Sequence, residues 1–183
     1  GKPGIAFVTR GPGATNASVG IHTAHQDSTP LILFVGQVAR DMTEREAFQE
    51  VDYRRMFGEM TKWVAQIDNP ARIPEMVSRA FHVATSGRPG PVVLALPEDM
   101  QTERADAVDG QHFHSAQANP GGGDMERFRD MLSTAKKPLV LAGGGGWTQD
   151  SSNDLTTFAE RNDLPVAVSF RRQDLIDNRH PNY

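Results

Sequence analysis

Short apolar runs alternate with longer amphipathic runs along this chain of 183 residues, and this alternation restricts the fold more than any other feature. Residues 5–8, 31–35 and 92–96 are continuously apolar, which is typical of strands buried on both faces. Between them, residues 73–84 repeat apolar side chains at helical spacing. The alternation predicts an α/β fold with parallel sheets flanked by helices.

The same patterns predict three regions in the order of the chain. Residues 1–101 hold the runs above, a further strand at 63–67, and a helix capped by Thr15 or Asn16 that runs to about residue 26. Residues 102–124 are polar and rich in glycine, which is typical of a linker. Residues 125–183 form a second unit, with helices near 125–135 and 152–162 and strands at 139–142 and 166–169.

Composition excludes several partners and sites. The net charge is −4, from 19 basic and 23 acidic residues, so no basic field is available to bind nucleic acid. The absence of cysteine excludes disulfides and thiolate metal sites, and it is consistent with a cytoplasmic location. No apolar run approaches the roughly 20 residues of a membrane span, so we expect no membrane partner.

The two ends predict that the chain is an internal piece. It begins Gly-Lys-Pro-Gly without a Met and runs directly into an apolar strand, and it stops soon after another strand. In a complete protein, more residues usually precede the first strand of a sheet and follow its last strand. We therefore expect both ends to be cuts.

The segment most informative about function is residues 9–16, Thr-Arg-Gly-Pro-Gly-Ala-Thr-Asn, between the first strand and the first helix. Ligands of open α/β sheets bind at the carboxyl ends of strands, where such loops lie. Glycine permits close approach of the backbone to a flat ring or a phosphate, and the helix N–H groups can donate to a ligand. Taken alone, the segment is better explained as a tight turn.

Further segments change that interpretation, because their order and spacing resemble the pyrimidine-binding domain of the acetolactate synthase group of thiamine-diphosphate-dependent enzymes. The resemblance covers residues 4–100 and rests on these segments: Gly-Pro-Gly-Ala-Thr-Asn at 11–16, Asp-Ser-Thr-Pro at 27–30, Gly-Gln-Val at 36–38, Ala-Phe-Gln-Glu at 47–50, Thr-Lys-Trp at 61–63 and Thr-Ser-Gly-Arg-Pro-Gly-Pro-Val at 85–92. Residues 137–183 resemble the start of that family's middle domain.

The resemblance implies an incomplete thiamine-diphosphate-binding fold followed by the start of a Rossmann-like middle domain. It implies an enzyme that decarboxylates a 2-oxo acid and transfers the resulting acyl or aldehyde unit. Its active sites would be shared between the subunits of a dimeric or tetrameric homo-oligomer, with Mg²⁺ held by a C-terminal domain beyond residue 183. The activating glutamate would lie upstream of Gly1, so we expect neither a catalytic residue nor a metal ligand here, and the chain alone should be inactive.

The resemblance assigns several residues to the cofactor. Gly11, Pro12, Gly13 and Asn16 match the loop that borders the pyrimidine ring. The alternative is a structural turn, with Asn16 as a helix cap. Gln37, at the end of the second strand, is a further candidate, and a hydrogen bond to the local backbone would explain it equally well.

Three more residues match positions with a role in the family. Phe48 and Gln49 match a pair that approaches the cofactor and the substrate channel; a core Phe beside a solvated Gln is the alternative. Arg88 matches an arginine that helps to bind FAD in the members that contain it. A loop arginine between Gly and Pro has little reason to pack, which favours binding, but many relatives bind another nucleotide or nothing there.

Two departures put strict acetolactate synthase activity in doubt. Ala39 and Glu98 stand where that group has Pro and Lys, and the lysine lies near its substrate entrance. The alternatives are a non-oxidative 2-oxo acid or acyl-CoA decarboxylase or lyase of the same family, and a module that kept the fold without the chemistry. A nucleotide-binding domain without thiamine is disfavoured, because Gly-Pro-Gly is not Gly-x-Gly-x-x-Gly.

Overall fold

A computed structural model describes residues 2–114 and 118–183, which form two compact units, one in each range. The division falls within the segment 102–124, although the exact domain limits stay a prediction. Among the described residues, no helix combines the length and the apolar character that crossing a bilayer requires.

The first unit is built on a four-stranded parallel sheet, which confirms the predicted fold class. Its strands lie in the order β1-β2-β4-β3. The strands are β1 (Gly4–Val8), β2 (Leu31–Gln37), β3 (Trp63–Gln66) and β4 (Pro91–Pro97). The helices are α1 (Gly11–Gln26), α2 (Tyr53–Phe57) and α3 (Ile73–Thr85), with short 3₁₀ turns at Arg40–Met42, Pro70–Arg72 and Met100–Thr102.

The core lies on both faces of this sheet, because successive strand residues point to opposite sides. On one face, Ile32 and Leu94 pack with α3. On the other, Leu33 and Val93 pack with α1 and α2. This two-sided burial explains why residues 31–35 and 92–96 are continuously apolar.

The expectation that residues 5–8 are buried on both faces is wrong for the described chain. Ile5 is 53% exposed and Phe7 is 70% exposed. The cause is position, because β1 is the edge strand of the sheet and, among the described strands, pairs only with β2. The ring of Phe7 still stacks on that of Phe34, with 4.5 Å between the ring centroids. The apolar surface of the sheet therefore extends onto β1, where Phe7 is exposed.

Helix α1 begins earlier than predicted, at Gly11, so neither Thr15 nor Asn16 is its cap. Arg10 is the N-cap residue, and it makes no capping bond with its side chain. Pro12 lies in the first turn, where its fixed φ suits a helix and its missing N–H is not required. Thr15 instead donates its hydroxyl to the carbonyl of Gly11 at 2.7 Å.

The second unit has the predicted helix–strand–helix–strand order. It consists of α4 (Gly122–Thr134), β5 (Val140–Ala142), α5 (Gln149–Asn162) and β6 (Val166–Val168), and the two strands are parallel. Thr148 and Ser151 form a capping box at the start of α5. The small core of this unit contains Ala159 and Val166.

We expect Ile32→Ala to lower the free energy of unfolding of the first unit by about 2–5 kcal/mol, because it leaves a cavity between the sheet and α3. Trp63 lies in the first unit and Trp147 in the second. In a Trp147→Phe background, the fluorescence of Trp63 therefore follows urea unfolding of the first unit alone. The exposed control Val19→Ala should change stability by less than about 0.5 kcal/mol, and equal losses would contradict the core.

Candidate functional site

The carboxyl ends of β1, β2 and β4 lie at one edge of the first sheet, because the three strands are parallel. The segments that follow them, at residues 9–10, 38–52 and 98–99, therefore meet there. This is the edge at which open α/β sheets bind ligands. Most of the residues that the sequence assigned to the cofactor lie in or beside these segments.

The start of α1 is joined to the segment 43–52, which we call the β2–α2 loop. The N–H of Gly11 donates to the carbonyl of Gln49 at 3.1 Å. Pro12 is exposed beside this bond, and Phe48 precedes Gln49 with 81% of its surface exposed. The structure thus brings residues 11–13 and 48–49 together. Asn16 lies further along α1 and is exposed.

Close packing explains why glycine stands at positions 11 and 13, and the sequence did not show this reason. A Cβ on Gly11 would lie 3.1 Å from the carbonyl oxygen of Gln49. A Cβ on Gly13 would lie 3.0 Å from Thr9 and 3.1 Å from Val8. Such distances are tighter than most Cβ contacts, so glycine permits the close packing of α1 on β1 and on the loop.

The β2–α2 loop has a strained backbone. Glu44, Glu46 and Gln49 all adopt left-handed φ angles, of 63°, 54° and 68°, which are uncommon for residues other than glycine. The carboxylate of Glu50 accepts hydrogen bonds from the N–H groups of Glu44 at 2.8 Å and Ala47 at 3.2 Å. Glu50 belongs to the Ala-Phe-Gln-Glu segment, but the sequence did not indicate this role. We infer that its carboxylate holds this loop together.

Gln37 is only 6% exposed, and its amide bonds to the backbone at both ends. Its Nε2 donates to the carbonyl of Val51 at 2.9 Å, and its Oε1 accepts from the N–H of Val38 at 2.9 Å. This geometry favours the local interpretation, in which Gln37 ties the end of the loop to β2. A contact of Gln37 with the cofactor stays a prediction.

Arg88 lies before β4, at the sheet edge opposite to the candidate site. Its Nε donates to the hydroxyl of Ser28 at 2.8 Å, and a terminal nitrogen donates to the carbonyls of His25 at 3.2 Å and Gln26 at 3.3 Å. The expectation that this arginine has little reason to pack is therefore wrong, because it satisfies carbonyls at the end of α1. Its role toward FAD stays a prediction.

Two ion pairs lie at the candidate site. Arg10 pairs with Glu98 at 3.1 Å, which places one of the two sequence departures beside the start of α1. Arg40 pairs with Asp99 at 2.7 Å and also with Glu103. Arg40 and Asp99 are 59 residues apart in sequence, so no local pattern indicated their contact.

The charge of Arg40 changes the acidity of its partner. Burial raises the pKa of Asp99, but the hydrogen bonds and the charge of Arg40 outweigh it and hold this pKa below its ordinary value. The same bonds to Asp99 and Glu103 raise the pKa of Arg40. The pair therefore stays ionised around neutral pH and joins the end of β2 to the end of β4.

The glycine run at 143–146 forms a turn after β5. Gly144 and Gly146 adopt left-handed φ angles of 75° and 84°, and Trp147 donates its indole N–H to the carbonyl of Gly143 at 2.9 Å. Within residues 2–114 and 118–183, no three His, Cys, Asp or Glu side chains form a group able to hold a metal ion.

Two family descriptions match this chain. Residues 1–56 match "Thiamine pyrophosphate enzyme, N-terminal TPP binding domain", and residues 125–183 match "Thiamine pyrophosphate enzyme, central domain". The first match includes the start of α1 and the β2–α2 loop.

Similar proteins include acetolactate synthases. The large subunit of this enzyme from Buchnera aphidicola subsp. Schizaphis graminum is 38% identical over 98% of the chain, and that from Lactococcus lactis subsp. lactis is 37% identical over 91%. The chain covers 33% and 30% of these relatives, or about a third of their length. A crystal structure of benzoylformate decarboxylase from Polynucleobacter necessarius superposes with a TM-score of 0.81 and 29% identity, covering 92% of this chain and 32% of that one.

We expect Glu50→Gln to open the β2–α2 loop, because the amide cannot accept two backbone hydrogen bonds as strongly as the carboxylate. Trypsin cleavage after the exposed Arg45 should accelerate about 5- to 30-fold, which corresponds to about 1–2 kcal/mol. Mass spectrometry of the nicked products measures this rate. Glu59→Gln, an exposed carboxylate outside the loop, is the control, and identical rates for both variants would show that Glu50 does not hold the loop.

Tyr53 provides a pH test of the same region. Its buried hydroxyl donates to the carbonyl of Gly36 at 3.1 Å, and burial raises its pKa to about 12 against the opposing charge of Arg10. The pKa of a tyrosine in the unfolded chain is about 10. The contribution of Tyr53 to the free energy of unfolding is therefore fully present below pH 10 and is lost as the pH rises through about 12. In Tyr53→Phe, the absorbance step near pH 12 should vanish. Loss of a step near pH 10 instead would contradict the burial.

Proposed function

This chain belongs to the thiamine pyrophosphate enzyme family, and we propose that it forms part of an enzyme that decarboxylates a 2-oxo acid and transfers the resulting acyl or aldehyde unit. The observation that carries the proposal is the hydrogen bond between Gly11 and Gln49. It joins residues 11–13 to residues 48–49 at the carboxyl edge of the sheet, within the segment that matches the N-terminal TPP binding domain.

The side chains at this edge fit a flat, partly polar ring. Pro12 and Phe48 are exposed apolar groups against which an aminopyrimidine ring can stack. Gln49 is half-buried beside them and carries an amide that can donate and accept hydrogen bonds. These residues would orient the ring and shield it from water, while thiamine diphosphate, when bound, supplies the electron sink for decarboxylation.

The proton transfer to the ring requires an acid that these residues do not supply. Glu50 already accepts two backbone hydrogen bonds, and Glu98 is paired with Arg10. We therefore propose that the activating carboxylate, the diphosphate contacts and Mg²⁺ come from other parts of a longer, cytoplasmic protein. Its active sites would be shared between copies in a homo-oligomer, and FAD stays an open alternative for the second unit.

A second candidate is a non-oxidative decarboxylase of the same family. The similarity to benzoylformate decarboxylase, at 29% identity, supports it, while the acetolactate synthases support carboligation. A module that kept the fold without the chemistry is the third candidate. A residue unable to protonate the ring at the activating position of the full-length sequence would favour that module.

We expect the full-length protein to bind thiamine diphosphate in the presence of Mg²⁺ and to decarboxylate at least one member of a 2-oxo acid panel. Phe48→Ala should weaken cofactor binding about tenfold in calorimetry, because a stacking surface is lost. Phe170→Ala, another exposed phenylalanine, is the control.

The chain of residues 1–183 alone should show no decarboxylation. Activity of that chain would contradict the proposed division of the site. The absence of any binding of thiamine diphosphate by the full-length protein would refute the function itself.

A further inference from the structure

We propose that Glu98 is a specificity-determining residue, which neutralises Arg10 so that the cleft beside the ring site takes a neutral acyl acceptor, an aldehyde, in preference to a second 2-oxo acid. The inference rests on the proposed function and names the class of its second substrate. Three observations carry it: a cleft with one apolar wall, a single cation among the described residues of its lining, and an ion pair that occupies this cation.

The cleft lies between the end of β2 and the end of β4 and has a volume of about 490 Å³. One wall is apolar and consists of Val38, Ala39, Met42, Ala47 and Phe48. Phe48 also belongs to the proposed ring site, so the cleft and that site share this side chain.

The charged groups of the cleft are already paired. Arg10 is the one cation among the described residues that line it, and its guanidinium lies 3.1 Å from the carboxylate of Glu98. The aliphatic part of the Arg10 side chain lies over Gly36: a Cβ added to this glycine would be 3.6 Å from Cγ of the arginine. Asp99 also lines the cleft, and its carboxylate is bound by Arg40.

This arrangement discriminates by charge. A 2-oxo acid is an anion at neutral pH, so in this cleft the carboxylates of Glu98 and Asp99 would repel its carboxylate. Arg10 would offer little compensation, because it is already paired with Glu98. An aldehyde carries no charge and leaves the ion pair intact, while its carbon chain contacts the apolar wall. The cleft therefore penalises the anion without needing to bind the aldehyde strongly.

The transfer of the acyl unit to the aldehyde requires no oxidant. The bond between the carboxylate carbon and the carbonyl carbon of the donor breaks with loss of CO₂. A new carbon–carbon bond then forms between that carbonyl carbon and the aldehyde carbon, the aldehyde oxygen takes up a proton, and a 2-hydroxy ketone is released.

The direct test is binding of butyrate, a small carboxylate that cannot react, to the full-length holoenzyme by calorimetry. Glu98→Gln should bind butyrate about tenfold more tightly than the wild type, because Arg10 becomes available for a charge-assisted hydrogen bond. The double variant Arg10→Ala/Glu98→Gln should lose this gain. Glu59→Gln, an exposed carboxylate outside the cleft lining, is the charge-matched control.

Acceptor choice gives a second measurement. With pyruvate as donor, the ratio of kcat/KM for acetaldehyde to that for pyruvate as acceptor should exceed one in the wild type and fall about tenfold in Glu98→Gln. Glu98→Lys should lower it further, because a cation then replaces the anion.

Unchanged butyrate affinity in Glu98→Gln, or a gain that survives removal of Arg10, would overturn the inference. A wild type that prefers pyruvate as acceptor would overturn it as well. If the full-length protein binds no thiamine diphosphate, the proposed function fails, whereas butyrate titration of the cofactor-free protein still tests the cleft.

Discussion

The close contact between Gly11 and Gln49 is the constraint on which the candidate site depends. The first N–H of a helix has no partner within the helix, and here the carbonyl of Gln49 accepts it. Glycine lets the two backbones come so near without a shift of the loop, since a Cβ would lie 3.1 Å from that oxygen. The β2–α2 loop is thereby bound to α1, and Phe48, which precedes Gln49, is exposed.

This anchor works together with two others, and the three explain how a strained loop stays in place. Gln37 binds the carbonyl of Val51 at the end of the loop, and Glu50 binds two N–H groups within it. Left-handed residues such as Gln49 raise the energy of the backbone. These hydrogen bonds offset that energy, so the loop presents a defined surface.

Much of the fold could be predicted from sequence because its signals are local. Continuous apolar runs at 31–35 and 92–96 indicated buried parallel strands, and helical spacing indicated α3. The errors arose where a non-local fact decided the outcome. Residues 5–8 have the composition of a central strand but lie at the edge, and α1 begins at Gly11 because of contacts made by a loop nearly forty residues away.

The sequence by itself determined the α/β class and the membership in the thiamine pyrophosphate family, because period, order and motif spacing are properties of the linear chain. Only the tertiary structure decided which polar groups remain available for a ligand. It turned Gln37 and Arg88 toward backbone carbonyls, and it paired Arg10 with Glu98. Partners so distant in sequence meet because parallel strands all begin at one edge of the sheet and all end at the other, and the linear pattern does not encode that geometry.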